Sequence, residues 1–128
     1  MKQKILVTGG FGYVGGRVAM ALATLPDIQA ILGTRSFKPS PVWLPEAPVI
    51  VTEWNDSGSL EKACIDIDII LHFAAMNEID AAKNPAGALE MNGVATVRLI
   101  EAAKISGVKK FIYLSTAHVY GSPLEGFI

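Results

Sequence analysis

Four of the seven residues from Gly9 to Gly15 are glycine, in the run Thr8-Gly9-Gly10-Phe11-Gly12-Tyr13-Val14-Gly15. Ile5-Leu6-Val7 before it reads as a buried strand. After it Val14, Val18, Ala21, Leu22 and Leu25 keep helical spacing until Pro26 stops the pattern. The run carries G-x-x-G-x-x-G through Gly9, Gly12 and Gly15, and G-x-G-x-x-G through Gly10, Gly12 and Gly15. At a strand-turn-helix junction each glycine has a physical task. The first permits the tight turn, the middle one lets a diphosphate approach the backbone, and the last lets the helix touch the strand. Free N–H groups at the helix start then bind the anion. The competing reading is a merely flexible turn. A Walker-type loop is excluded, because no Gly-Lys-Ser/Thr follows.

The rest of the chain alternates short apolar runs with helical patterns. Strands are expected at Ile28 to Leu32, Val49 to Val51, Ile67 to Phe73 and Phe111 to Leu114. Ser57 or Ser59 caps a short helix with Leu60, Ala63 and Cys64 on one face, and a polar, proline-rich loop runs from Ser36 to Pro48. Asn84 and Pro85 open a long helix that Gly107 ends, with Leu89, Ala95, Leu99, Ala102 and Ala103 inward. Near-continuous apolar strands separated by helices imply an α/β fold, a doubly wound parallel sheet in the order 3-2-1-4-5, covered on both faces. The 128 residues are expected to form one dinucleotide-binding domain, since 51% are apolar and one core is within reach at this length.

Charge and cysteine usage narrow the partners. Eleven Lys and Arg against twelve Asp and Glu give a net charge of −1, which leaves no basic footprint for nucleic acid or anionic lipid. No run approaches the ~20 apolar residues of a membrane span. Lys2 and Lys4 before Ile5 superficially resemble a secretory signal, but the glycines and Arg17 interrupt the apolar region. The single cysteine, Cys64, forms no internal disulfide and no multi-cysteine metal site, so a reducing cytoplasm is the expected home.

A dinucleotide site of this kind usually has an acid about 20 residues past the glycines, holding the adenosine ribose. Here the second strand ends Leu32-Gly33-Thr34-Arg35-Ser36, with no acid. Gly33 leaves room, and the Arg35 fork suits a 2′-phosphate, which favours NADP over NAD. The alternative is a solvated loop arginine.

Later segments are specific enough to name a family. Thr8 to Gly15 matches T-G-x-x-G-x-x-G, His72-Phe73-Ala74-Ala75 matches H-x-A-A, and Asn92-Gly93-Val94-Ala95-Thr96 is similar to N-V-x-G-T. Glu53-Trp54-Asn55-Asp56 and Ser115-Thr116-Ala117-His118-Val119-Tyr120-Gly121 complete the order. The chain thereby resembles the extended short-chain dehydrogenase/reductase family, in its nucleotide-sugar epimerase/dehydratase branch, across essentially its whole length. The resemblance implies a Rossmann-type fold and NADP or NAD as cofactor. It implies contacts from Gly9, Gly12, Tyr13, Val14 and Gly15, an adenine bordered by Trp54 and hydrogen-bonded by Asp56, and cofactor against Phe73, Ala74 and Ala75. Asp56 also reads as a helix cap, His72 as a satisfied strand-end histidine, and Asn92 either as a residue adjusting the helix near the site or as an ordinary helix asparagine.

By the same resemblance Thr116 stands where the catalytic Ser or Thr orients the substrate's reacting oxygen. Ala117-His118 replaces the Asp-Glu pair of the dehydratases, so an epimerase or reductase is expected. The family's catalytic Tyr, with Lys four residues later, has no counterpart: neither Tyr113 nor Tyr120 carries such a Lys. The chain is therefore expected to be the N-terminal part of a longer enzyme, inactive alone and lacking the C-terminal strands and substrate domain. A nucleotide-sugar would be the partner of the longer protein, and an exposed fifth strand would invite homo-oligomerisation. The alternative function is a non-catalytic NAD(P)-binding sensor or regulatory module.

Overall fold

The computed structural model describes residues 1–121 and 126. Five strands form one parallel sheet: β1 Gln3–Thr8, β2 Ile28–Thr34, β3 Val49–Val51, β4 Ile69–His72 and β5 Lys110–Tyr113, in the spatial order β3-β2-β1-β4-β5. This is the expected order and Rossmann-type topology. The register is continuous across the centre, with Val7 beside Leu32 on one side and Leu71 on the other. β4 begins two residues later than the apolar run suggests, because Ile67 packs into the core from the loop before it.

Alternation along β1 divides the core. Leu6 faces Leu60 and Cys64 of α2 (Ser57–Cys64) and Leu99, Ala102 and Ala103 of α5 (Ala95–Ile105). Ile5 and Val7 face the opposite layer, with Ala19 of α1 (Tyr13–Ala23) and Ala30 and Leu32 of β2. Both faces of the sheet are thus covered at its centre, around β1 and β2, as a parallel sheet requires. Burial pushes the Cys64 thiol up to about 11, with the Glu61 carboxylate adding to the effect, so this sulfur stays protonated and unreactive.

The helices depart from the simple periodic reading in four places. The inward face of α1 is Gly15, Gly16 and Ala19, whereas Val14 and Leu25 are exposed. Small residues let the helix lie close on the sheet, so contact here depends on what the side chains lack. Asp56 caps α2, its Oδ1 accepting from Ser59 N–H at 3.2 Å, in place of Ser57 or Ser59. A further helix, α3 (Glu78–Lys83), starts at Asn77, whose Oδ1 accepts from Asp80 N–H. The expected long helix is three pieces: α4 (Pro85–Leu89), a π-turn (Glu90–Val94) and α5. Asn84 caps α4 with Pro85 at its first position, as expected, but Leu89 is exposed. Gly107, at φ +77°, ends α5 in the left-handed region. A short 3₁₀ turn, Ala117–Tyr120, follows β5.

β5 pairs with β4 and lies at the sheet edge, with Ile112, Tyr113 and Leu114 exposed. No helix among the described residues is long and apolar enough to cross a membrane.

Candidate dinucleotide-binding site

Because all strands are parallel, the loops leaving their C-terminal ends line one edge of the sheet. The chain goes from β1 to β2 on one side and later places β4 on the other, a switch point where open α/β sheets leave a crevice. A cleft of about 380 Å³ lies there. Its walls are Gly9, Phe11 and Gly12 after β1, Gly33, Thr34, Arg35 and Lys38 around the end of β2, and Thr52 and Trp54 after β3. Phe73 to Asn77 after β4, with Asp80 and Met91, complete it.

The glycines of the turn perform different tasks. Gly9 adopts φ +66°, and a Cβ there would lie 2.9 Å from Ala74 N and 3.0 Å from the Phe73 carbonyl carbon. The turn after β1 and the loop after β4 therefore pass backbone against backbone. Gly15 is buried beneath the turn, where a Cβ would overlap the Gly9 carbonyl oxygen and lie 2.8 Å from its carbon. Gly12 differs, since a Cβ there would meet one atom within 4 Å, the Gly9 oxygen at 3.1 Å. Gly12 is exposed and lines the cleft, so it is the position where bare backbone faces a ligand.

Gly12 is also the N-cap of α1. No side chain caps this helix, and its first turn carries no acid. The first bond of the helix runs from Gly16 N–H to the Gly12 oxygen at 2.9 Å, and Gly12 N–H itself donates to the Gly9 oxygen at 2.9 Å, so the open donors of the helix start are the N–H groups of Tyr13, Val14 and Gly15. Open donors, the positive end of the helix dipole and a bare Cα fit a diphosphate.

The wall after β4 is held by buried hydroxyls and one imidazole. Thr8 Oγ1 accepts from Phe73 N–H at 3.1 Å and Ala74 N–H at 3.2 Å, and lies 2.7 Å from His72 Nδ1. With its oxygen filled by two N–H donors, Thr8 must donate its own proton to Nδ1. At the far end Thr96 O–H donates to the Asn92 carbonyl at 3.1 Å, so Thr96 Oγ1 accepts from His72 Nε2–H at 2.9 Å. Both ends select the neutral Nε2–H tautomer. Burial agrees, since it pushes the imidazole pKa down to about 4. The ring also packs against Trp54, Phe111 and Tyr113. His72 is thus the satisfied strand-end histidine of the plainer reading.

The Asn92 amide reaches the same loop. Its Oδ1 accepts from Met76 N–H at 2.7 Å and its Nδ2 donates to the Met76 carbonyl at 3.1 Å. Asn92 sits in the π-turn, which sets it off from the regular helix beyond. Arg98 Nη1 braces the adjoining wall, with the Trp54 carbonyl at 3.3 Å and Asn55 Oδ1 at 3.1 Å, while pairing with Glu90.

Of the residues singled out in the sequence, Gly9, Gly12, Arg35, Trp54, Phe73, Ala74 and Ala75 line this cleft. Tyr13 lies beside it, in a smaller recess with Gly12, Arg17 and Trp43, its ring stacked under the Arg17 guanidinium at 3.8 Å. Val14 is exposed on α1, Gly15 is beneath the turn, Asp56 is occupied as a cap, and Asn92 holds Met76. Thr116 stands apart at the end of β5, as the N-cap of the 3₁₀ turn, its Oγ1 accepting from His118 N–H at 3.2 Å. Sequence reasoning did not single out Phe11, Lys38, Met76 or Asp80. Their place on the wall depends on loops folding back, for which no local pattern exists.

Residues 5–127 match the family described as NAD dependent epimerase/dehydratase. The UDP-glucose 4-epimerase of Streptomyces lividans is 31% identical over 132 residues, spanning 96% of this chain and 39% of that protein. Among solved structures, the UDP-glucose 4-epimerase of Thermotoga maritima with UDP-glucose superposes with a TM-score of 0.82 at 26% identity, over 98% of this chain and 42% of that one. The UDP-glucuronic acid 4-epimerase of Bacillus cereus, in complex with UDP-glucuronic acid and NAD, gives 0.79 at 27% identity, over 98% and 44%. The chain spans about a third to two fifths of the length of the curated relatives it matches. With the family matched from the first strand through the turn after the fifth, the chain belongs to the NAD dependent epimerase/dehydratase family.

Proposed function

We propose that this chain is the cofactor-binding, N-terminal part of a nucleotide-sugar epimerase or related reductase, and that its cofactor is NADP in preference to NAD. One observation carries the reading: an uncapped helix start and a bare Gly12 open onto a cleft whose β2 wall offers Arg35 and no acid. The lining of the cleft supports a division of the dinucleotide along the chain. The α1 start holds the diphosphate, Trp54 borders the adenine, and the Phe73-Ala74-Ala75 backbone passes the cofactor along its length.

Bound there, the nicotinamide supplies a reversible hydride acceptor. Thr116 orients the sugar's reacting oxygen: its Oγ1 accepts from His118 N–H, which leaves its own proton to donate. No Tyr within the 128 residues has a Lys four positions later, so we expect the chain by itself to bind cofactor without turnover. The substrate of the whole protein is, on this reading, a nucleotide-sugar, and its compartment the cytoplasm.

Calorimetric titration with both dinucleotides tests the cofactor assignment. Arg35→Ala is expected to weaken NADP binding about tenfold or more and to leave NAD within about twofold, as loss of a charge-assisted phosphate contact predicts. Equal weakening of both would remove Arg35 from the phosphate site.

A further inference from the structure

We propose that Arg98 is a positioning residue, which touches no ligand itself and sets the Trp54 wall of the cleft from behind. This role rests on the cleft's being a dinucleotide site, and it names what fixes the adenine side. Arg98 lies on α5 beside the buried Leu99 and does not line the cleft. Its Nη1 meets three acceptors on two segments remote in sequence. The Trp54 carbonyl at 3.3 Å and Asn55 Oδ1 at 3.1 Å belong to the loop after β3, and Glu90 Oε1 at 2.6 Å to the π-turn. Trp54 and Met91, the residue after Glu90, both line the cleft, so one guanidinium ties two of its walls together. The π-turn makes this possible. In an uninterrupted α-helix eight positions overshoot two full turns by about 80°, which would carry Glu90 off the Arg98 face. A π-turn takes in one extra residue, so the same eight positions come within about 20° of two turns and the carboxylate lies against the guanidinium.

Trp54 needs such a hold. Its indole packs on His72 with ring centroids 5.7 Å apart, yet its Nε1–H is buried without a hydrogen-bond partner. The ring therefore has no polar anchor of its own, and its place follows from packing and from its backbone. On one side the loop is pinned where Asp56 N–H donates to the Glu53 carbonyl at 3.0 Å and the Asp56 carboxylate caps α2. Arg98 supplies the opposing grip, at the Trp54 carbonyl itself. Glu90 keeps the guanidinium ordered, which lowers the entropy lost in holding that carbonyl. The side chains of Arg98 and Glu90 are 36% and 47% exposed, so the ion pair adds little to global stability, and its removal is felt at the wall rather than in the core.

Calorimetric titration with NAD, NADP and AMP compares the native chain with Arg98→Ala and Arg98→Lys. Arg98→Ala is expected to weaken all three ligands about tenfold, as loss of one charge-assisted hydrogen bond predicts, with a denaturation midpoint near the native value. Arg98→Lys is expected to restore most of the affinity, because an ammonium offers three donors to the same three acceptors. A double-mutant cycle asks whether the arginine acts through the indole. Once Trp54→Leu is in place, Arg98→Ala is expected to cost less than about twofold further. Should Trp54→Leu fail to fold, Trp43→Phe leaves Trp54 as the sole tryptophan, and its emission is expected to move to the red in Arg98→Ala. Undiminished AMP affinity in Arg98→Ala, equal losses with and without Trp54, or an unmoved spectrum overturns the positioning role while the dinucleotide reading stands. A native chain that binds neither NAD nor NADP overturns both.

Discussion

Gly15→Ala is expected to destabilise the fold by about 3 kcal/mol or more, a loss large against the stability of a typical small domain. The added methyl would overlap the Gly9 carbonyl and crowd Gly10 Cα at 3.2 Å. All of these neighbours are backbone, so no flexible side chain can yield. Relief requires α1 to lift from the turn, which also separates Ala19 from Val7 and Leu32. Chemical denaturation of the variant beside the native chain checks this. An unchanged midpoint would mean that α1 does not rest on the turn as described.

The second large effect belongs to His72. His72→Phe keeps the ring volume and its packing on Trp54, Phe111 and Tyr113, but leaves the Thr8 hydroxyl without an acceptor and Thr96 Oγ1 without its donor. A loss of about 2–4 kcal/mol is expected from these two buried groups. The histidine also gives the native chain a pH signature. Its pKa is about 4 when folded and near the ordinary 6.5 when unfolded. As pH falls from about 6.5 towards about 4, the unfolded state takes up a proton that the folded state refuses, so stability declines by up to ~3 kcal/mol and then levels. His72→Phe lacks this contribution. Denaturation midpoints measured from pH 7 to pH 4 should therefore converge for the two proteins. Parallel curves would show that His72 is not buried neutral.

These two residues also show what the sequence made legible. The strands could be read because each is a short apolar run in a sheet covered on both faces, and the glycine spacing named the junction where a diphosphate fits. His72 was readable as a satisfied residue, although its partners Thr8 and Thr96 lie 64 and 24 positions away and no local pattern points to them. The inward face of α1 was misread because large apolar residues mark a contact stripe, whereas this helix approaches through Gly15, Gly16 and Ala19. The resemblance pointed to Asn92 as adjusting the helix, but the break itself had no local signal, because the π-turn is coupled to Asn92 gripping Met76, a contact across 16 positions. Lys38 lacked any signal for a similar reason: its place depends on Trp43 packing back near α1.

The central claim is that backbone left bare at Gly12 receives a dinucleotide diphosphate. Titration of Gly12→Ala with NADP tests it most directly, because beyond its chain neighbours an alanine methyl there meets only the Gly9 oxygen, at 3.1 Å, a contact relieved by a small shift, and otherwise reaches into open space at the cleft. The account predicts a thermal midpoint close to the native value together with affinity weakened about thirtyfold or more, the equivalent of ~2 kcal/mol. Native-like affinity in a folded Gly12→Ala protein would contradict it.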